Sequence, residues 1–376
     1  MKLRLKLKSW LKKKWRITMN NIKIQTLTPV HVGSGTELQG NFEYLYFKNE
    51  RKVAVVDAEK ILAILGEDNM PHWIACIDNN QPLLPVLEQR HKNLRAADVA
   101  EREIPLSIAT DKPIRAQLHS GNGKPILPGS SLKGAIRTTV WADWILDNPK
   151  TVQDHRNLKN FRGGWSDENV AKTIFGSDPN HDIFRLLQVG DIEFSETVAY
   201  ETNVINKYGN NWKIKQEITQ FVEAIPANVT THCRLNVNDL LLKRASNDYF
   251  NRNKQKLELE KLFPNINTHT ARLVEDEVKY WGETEDNPEA LGDYVEEMER
   301  ISNIISSCAA NECVIRMGWG SGFRFMTGDW QGNMTEDDYC RLVKSIRPKH
   351  PEDLIFPKTT RFINGGMPLG FIKMSF

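Results

Sequence analysis

Ile126-Leu-Pro-Gly-Ser-Ser-Leu-Lys-Gly-Ala-Ile-Arg137 gathers the groups that hold an anion into one short stretch. Pro128 and Gly129 break an apolar run, and Ser130 or Ser131 is placed to cap a helix running to about Leu146. The first turn of such a helix leaves backbone N–H groups unpaired at its positive end. Lys133 and Arg137, four residues apart, fall on one face one turn further in. Phosphate is the anion that suits amides, hydroxyls and two cations together. The stretch is not a nucleotide-binding P-loop: Gly129 and Gly134 have the spacing, but Ala135 stands where the lysine must be. The bland alternative is a capped amphipathic helix with two solvated cations.

Two further stretches carry the same kind of chemistry. In Thr28-Pro-Val-His-Val-Gly-Ser-Gly35, Gly33 and Gly35 flank Ser34, a glycine-rich turn whose amides could face an anion. His31 there is either a general acid or base or a side chain packed between valines. In Arg316-Met-Gly-Trp-Gly-Ser-Gly-Phe-Arg324, glycines alternate at 318, 320 and 322. Read as a strand continuing through Phe323-Arg-Phe325, this puts all three on one bare face against which another backbone can lie. Arg316, Trp319 and Arg324 beside it suit phosphate contact and base stacking. The GxGxG spacing, with no helix opening behind it, is not a dinucleotide fingerprint. The five cysteines form no CxxC pair, which argues for reduced thiols in a cytoplasmic protein and against a metal site; no cofactor is expected.

The 376 residues leave room for two ordinary domains, and no apolar run approaches the roughly 20 residues that span a bilayer, so no membrane partner is expected. The net charge of +2 hides an asymmetry, because residues 1–16 hold eight Lys/Arg and no acid. The remaining 42 basic residues face 48 acidic ones, a balance of −6, so a polyanion site on the body must be a local patch.

The elements that must position these motifs alternate in small groups. Residues 1–18 read as a disordered basic extension, and Ile22–Leu27 as a strand. Phe42–Phe47 and Val53–Val56 form a hairpin, and Asp57 caps a helix to Leu65. An interrupted helical region covers 71–100, and a short strand spans Ile114–Leu118. A polar loop or lid is expected over 148–166, then a helix from Asp167 to Phe175 and a strand over Leu187–Phe194. Further strands span 197–205, 214–225 and 229–237, with a hairpin tip at Lys207–Asn211. Residues 238–309 are helical, with a break at Phe263-Pro264 and an acidic face over 275–299. Strand Glu312–Arg316, a helix over 335–345 and a final strand close the chain. The pattern is α+β, with ferredoxin-like sheets and insertions. Three motifs far apart in sequence would, if they converge, line one channel that follows a phosphate backbone.

Taken together, Leu27–Gly35, Leu127–Arg137, Ile174-Phe-Gly176 and Arg316–Gly322 resemble the signature blocks of the RAMP superfamily, whose members build CRISPR effector complexes. The closing Lys358-Thr-Thr-Arg361 and Met367–Lys373 are similar to the branch that supplies the fifth subunit of type III-A (Csm) complexes. The resemblance implies ferredoxin-like (RRM-like) RAMP domains: residues 19–237 with a helical insertion, a helical insertion at 238–309, and 310–376 completing the core. It also implies binding of CRISPR RNA (crRNA) near its 3′ end, stacking on the repeated backbone subunit among other Csm subunits, crRNA maturation and assembly in antiviral defence, and recruited host nucleases. By motif, Gly33, Ser34, Gly35, Ser130, Ser131, Lys133 and Arg137 would hold the RNA backbone, with Gly318–Gly322 beside it, and His31, Arg316, Trp319 and Arg324 complete the expected RNA-binding set. Related subunits that cut target RNA carry a loop aspartate after the first glycine block, and Glu37-Leu-Gln-Gly-Asn-Phe-Glu43 has none. The expectation is therefore a binding subunit that is not an enzyme. The alternatives are an endoribonuclease using His31, and a scaffold whose motifs only pack.

Overall fold

A computed structural model of the chain describes residues 20–79, 81–158, 166, 168–208, 211–238, 257–283, 289–346, 357–363 and 365–376. The expected basic extension at 1–18, the start of a helix at Asp167, the hairpin tip at Gly209-Asn210 and residues 239–256 of the expected helical region lie outside these.

The central sheet sets strands Glu312–Arg316, Phe371–Ser375, Asn20–Thr26, Thr230–Val237 and Leu187–Val189 side by side in that order, every pair antiparallel. Period-two alternation decides its faces. Ile22 and Ile24 are fully buried while Lys23 between them is exposed, and Cys233 and Leu235 are buried while His232 and Arg234 are exposed. Helix Gly129–Asp147 covers the buried face with Leu132, Ile136, Val140 and Ile145, residues spaced by about one turn. Each such side chain, fully buried, contributes roughly 1.5–3 kcal/mol. Helix Leu259–Gly282 joins the same core through Leu259, Leu262, Phe263 and Ile266.

Leu273, Val274 and Trp281, further along that helix, enter a second cluster with Tyr294, Met298 and Ile301 of helix Glu289–Ser306. This cluster supports the second sheet, ordered Asn211–Ile214, Val198–Tyr208, Gln220–Ala224, Ile114–Gln117 and Gly33–Leu38, with Thr359–Ile363 also paired to Val198–Tyr208. A small subdomain sits against it. Its strands Tyr44–Phe47, Lys52–Val56 and Ala100–Pro105 are covered on one face by helices Ala58–Leu65, Leu84–Arg90 and Ala96–Val99, which take Leu45, Phe47 and Ala54. Tyr44, Val53, Val55 and Ile104, on the other face, pack with Ile114, Ala199 and Phe221. Asp57 caps the first of these helices by accepting from the Glu59 and Lys60 amides, as its type predicts.

Several expectations are corrected. Residues 148–158 are not a loop but carry two short helical turns, Lys150–Gln153 and His155–Leu158. Leu187–Phe194 is not one strand: Leu187–Val189 joins the central sheet, and Ile192–Glu193 pairs instead with Ile126–Leu127. The break at Phe263-Pro264 is absent, and Pro264 lies inside a continuous helix. The burial of Leu262, Phe263 and Ile266 on either side holds that helix against the sheet despite the lost hydrogen bond. No helix among the described residues is long and apolar enough to cross a membrane.

Candidate nucleic-acid interface

The three motifs meet. Gln117, at the end of strand Ile114–Gln117 and almost fully buried, joins the first two: its side-chain oxygen accepts from the Val32 amide at 3.1 Å, and its side-chain nitrogen donates to the Ile126 carbonyl at 2.7 Å. The backbone repeats the connection, Leu118 N–H donating to Val32 and Ile126 N–H to Leu118, each at 2.9 Å. On the other side the Trp319 amide donates to the His31 carbonyl at 2.9 Å, and the Gly370 amide to that of Pro29 at 2.9 Å. The edge so assembled is open along Gly33, Ser34, Gly35, Thr36 and Glu37, all exposed.

Gly33-Ser-Gly35 does not form a separate turn but opens strand Gly33–Leu38, with a register shift between Gly33 and Glu37; of the two glycines only Gly35 has positive φ. Helix Gly129–Asp147 is not capped by a serine. Its N-cap is Pro128, whose side chain bonds no amide, and the carboxylate of Asp191, from outside the helix, accepts from the Gly129 N–H at 2.8 Å. Ser130 is exposed and Ser131 half-buried. Gly129 is there because the helix start is pressed onto Val189: a Cβ on it would stand 2.2 Å from the Val189 carbonyl oxygen.

Gly318-Trp-Gly-Ser-Gly322 is not a strand. The strand ends at Arg316, the three glycines have φ of 84°, 80° and 82°, and Gly322–Thr327 is a short helix that contains Phe323, Arg324 and Phe325. Positive φ lets the chain turn under the His31 carbonyl, which a Cβ on Gly318 would approach to 2.6 Å.

The cations divide by environment. Arg316 is buried, donating from Nε to the Leu369 carbonyl at 2.8 Å and stacked on Phe325 and Phe371. It ties the glycine loop to the closing strand and presents no phosphate contact, contrary to expectation. Arg324 is likewise turned inward, with its side chain 14% exposed, its guanidinium over Tyr280 and its Nε 3.9 Å from Glu277. Arg137 pairs with Asp182 at 2.8 Å while its guanidinium lies 3.7 Å from the Phe175 ring centroid. Lys133 forms no ion pair among the described residues. Burial pushes its ammonium below the ordinary lysine pKa, opposed by Asp182 and reinforced by Arg137. It is the half-buried cation that this helix leaves without a counter-ion.

His31 is 2% exposed. Its Nδ1 lies 2.6 Å from the Glu223 carbonyl oxygen, which can only accept, so Nδ1 carries the proton. Burial lowers its pKa, against the opposing effect of Glu223, and its ring stands edge-on to Trp319 at 5.7 Å. The ring packs between the Trp319 loop and the Glu223 strand, with its Nε2 beneath Gly33. The Glu223 carboxylate is itself fully buried, held by Arg102 at 2.9 Å, the Thr197 hydroxyl at 2.8 Å and the Gln117 amide at 3.1 Å.

Sequence reasoning missed Gln117 and Arg115. Arg361 stands in the closing block without a role of its own in the sequence. Trp319, half-buried, has Arg115 5.4 Å and Arg361 4.7 Å from its ring centroid. Alternation tells that a polar strand residue points away from the core but not what it meets there, so only the fold puts Arg115 and Arg361 on one ring. Among the described residues no group of three or more His, Cys, Asp or Glu side chains could hold a metal ion.

Glycine-rich loops laid against the edge of an α+β sheet assembly define the class, and residues 23–324 match the RAMP superfamily. The chain belongs to that family. Within it, the chain is similar to a CRISPR-system protein, Csm5 of Methanocaldococcus jannaschii, with 26% identity over 190 residues, 46% of this chain and 43% of that relative. The chain thus matches less than half the length of that relative. Two solved structures share the fold. One is a chain of a cryo-EM Csm–crRNA–target RNA ternary complex of a type III-A CRISPR-Cas system (TM-score 0.68, 20% identity, covering 95% of this chain and 100% of that one). The other is the crystal structure of T. onnurineus Csm5 (TM-score 0.64, 19% identity, covering 93% and 99%).

Proposed function

We propose that this chain is a non-catalytic crRNA-binding subunit of a type III-A Csm complex, seated near the 3′ end of the crRNA and stacked on the repeated backbone subunit. The observation that carries the proposal is the joining of residues 29–32, 117–126 and Trp319 by hydrogen bonds into one edge, exposed along Gly33–Glu37. Such an edge offers backbone amides and cations to phosphates and reads no base, as guide recognition independent of sequence requires. Likeness to Csm5 and to a subunit of a Csm–crRNA–target RNA complex supports the same reading. So does the strand order: Phe371–Ser375, Asn20–Thr26, Thr230–Val237 and Leu187–Val189 follow the 4-1-3-2 arrangement of a ferredoxin-like (RRM-like) core, with Glu312–Arg316 added at the edge. In this reading residues 19–237 and 310–376 build the RAMP core, 238–309 are inserted into it, and the complex works in the cytoplasm in crRNA maturation, assembly and antiviral defence, recruiting host nucleases.

The test is to isolate the tagged chain from its host. A discrete small RNA and the other Csm subunits are expected with it. Recovery of the chain with neither would contradict the proposal, and sustained RNA cleavage by the purified chain would replace the non-catalytic reading with a catalytic one.

A further inference from the structure

Arg115 and Arg361 reach Trp319 from different strands of the second sheet, Ile114–Gln117 and Thr359–Ile363, and these two strands are not paired with each other. Stacking uses the flat face of a guanidinium and leaves its in-plane N–H groups free to bond. Some of these find nothing: Arg115 Nε and Arg361 Nη1 are buried without a hydrogen-bond partner among the described residues. Among the described residues Arg115 has one counter-charge, Glu37 at 3.5 Å, on a side chain that is 44% exposed. Arg361 pairs with no carboxylate among the described residues. Burial, and then the like charge of Arg115, push the Arg361 guanidinium below its ordinary pKa.

Arg272 and Arg324 also bury an Nε without a partner, but each lies beside carboxylates, Asp276 and Asp329 for the first and Glu277 for the second. Arg102 has Glu223, Arg137 has Asp182, and Arg316 has the Leu369 carbonyl. Two like charges held against one indole, beside the exposed Gly33–Glu37 edge, repel each other until an anion joins them. Flat guanidinium forks match the oxygens of a phosphodiester.

We propose that Arg115 and Arg361, held on Trp319 as a platform, clamp one phosphodiester of a bound RNA strand, and that Glu37 is the internal anion this phosphate displaces from Arg115. The proposal rests on the RNA-binding reading above and adds the two side chains that receive the phosphate, in place of the inward-turned Arg316 and Arg324.

The test is the affinity of the full-length chain for single-stranded RNA over a range of salt concentrations, for wild type, Arg115→Gln, Arg361→Gln, the double variant and Glu37→Gln. Each arginine variant is expected to weaken binding roughly tenfold or more, the loss of a charge-assisted hydrogen bond. The double variant should reduce the salt slope by about 0.7, the share of one phosphate on a single strand. Glu37→Gln should bind about two- to fivefold more tightly, since it removes the competing anion. If wild type binds RNA and the double variant matches its affinity and slope, the clamp is refuted while the RNA-binding reading stands; normal RNA affinity with failed entry into the complex would likewise refute it, in favour of an acidic protein partner. If wild type binds no RNA at low salt, both fall. Should the double variant unfold, Glu37→Gln decides, and unchanged or weaker binding by it overturns the clamp.

Discussion

Gly129 and Gly134 lie five residues apart in one helix, and the same substitution should have opposite effects at the two positions. In a helix alanine is favoured over glycine by about 0.8–1 kcal/mol. A Cβ on Gly134 meets nothing within 4 Å, so Gly134→Ala should gain most of that, about 0.5–1 kcal/mol. A Cβ on Gly129 would lie 2.2 Å from the Val189 oxygen, 2.7 Å from the Val189 carbonyl carbon and 2.8 Å from that of Gly190. None of these can step aside cheaply. Val189 is paired with Leu235 in the central sheet, and the Gly190 amide donates to Arg234 at 2.8 Å. The helix start must therefore lift, loosening the 2.8 Å bond from its amide to Asp191. Forced overpacking costs roughly 1–3 kcal/mol and occasionally more, so a net loss of about 2 kcal/mol is expected for Gly129→Ala. Urea denaturation of the full chain followed by circular dichroism measures both. The two midpoints should move in opposite directions, and Gly129→Ala unfolding at or above the wild-type midpoint would refute the seating of the helix start on Val189.

Three further outcomes follow from the same contacts. Arg137→Gln should lower stability by about 1–2 kcal/mol, losing the Asp182 pair and the stack on Phe175, without altering the salt dependence of RNA binding, whereas Lys133→Ala should reduce the salt slope by about 0.7. His269 is buried, and its pKa is lowered to about 3 by burial and, second, by Arg272. The unfolded chain therefore takes up this proton near pH 6.5 and the folded chain does not, so stability falls with decreasing pH by about 1.6 kcal/mol between pH 6.5 and 5 from this residue alone; a His269→Gln variant should show a correspondingly flatter profile by urea titration at each pH. Glu223→Gln leaves Arg102, whose side chain is 27% exposed, without its buried counter-charge and should cost roughly 1–3 kcal/mol, read as a lowered denaturation midpoint.

The parts of the fold legible in the sequence are those governed by local periodicity. Ile22 and Ile24 alternating with exposed Lys23 announce a one-sided strand, and Asp57 announces a helix start. Where a pattern has two physical solutions, the fold decided between them. Glycine at every second position serves a bare strand face or a series of positive-φ turns, and Gly318, Gly320 and Gly322 take the second, with Gly318 passing beneath the His31 carbonyl and Gly320 against Leu369. Pro264 signals a break, but apolar side chains buried on both sides of it hold the helix through. At the interface, the sequence showed the three motifs and their common chemistry, and it could not show which cations stay free. Arg137, Arg316 and Arg324 are indistinguishable on paper from Arg115 and Arg361; in three dimensions the first three meet Asp182, the Leu369 carbonyl and buried Glu277, whereas Arg115 meets only the exposed Glu37 and Arg361 no carboxylate among the described residues.

Photocrosslinking of 4-thiouridine-substituted guide RNA to the chain in its complex, with the crosslinked peptides sequenced by mass spectrometry, tests the claim that segments remote along the chain form one seat for RNA. Crosslinks are predicted on peptides that contain residues 31–37, 115, 130–133, 319 and 361, all from one RNA segment. Crosslinks confined to the subdomain strands at 44–56 and 100–105, or to the acidic helix Glu289–Ser306, with none at 31–37 or 319, would contradict it.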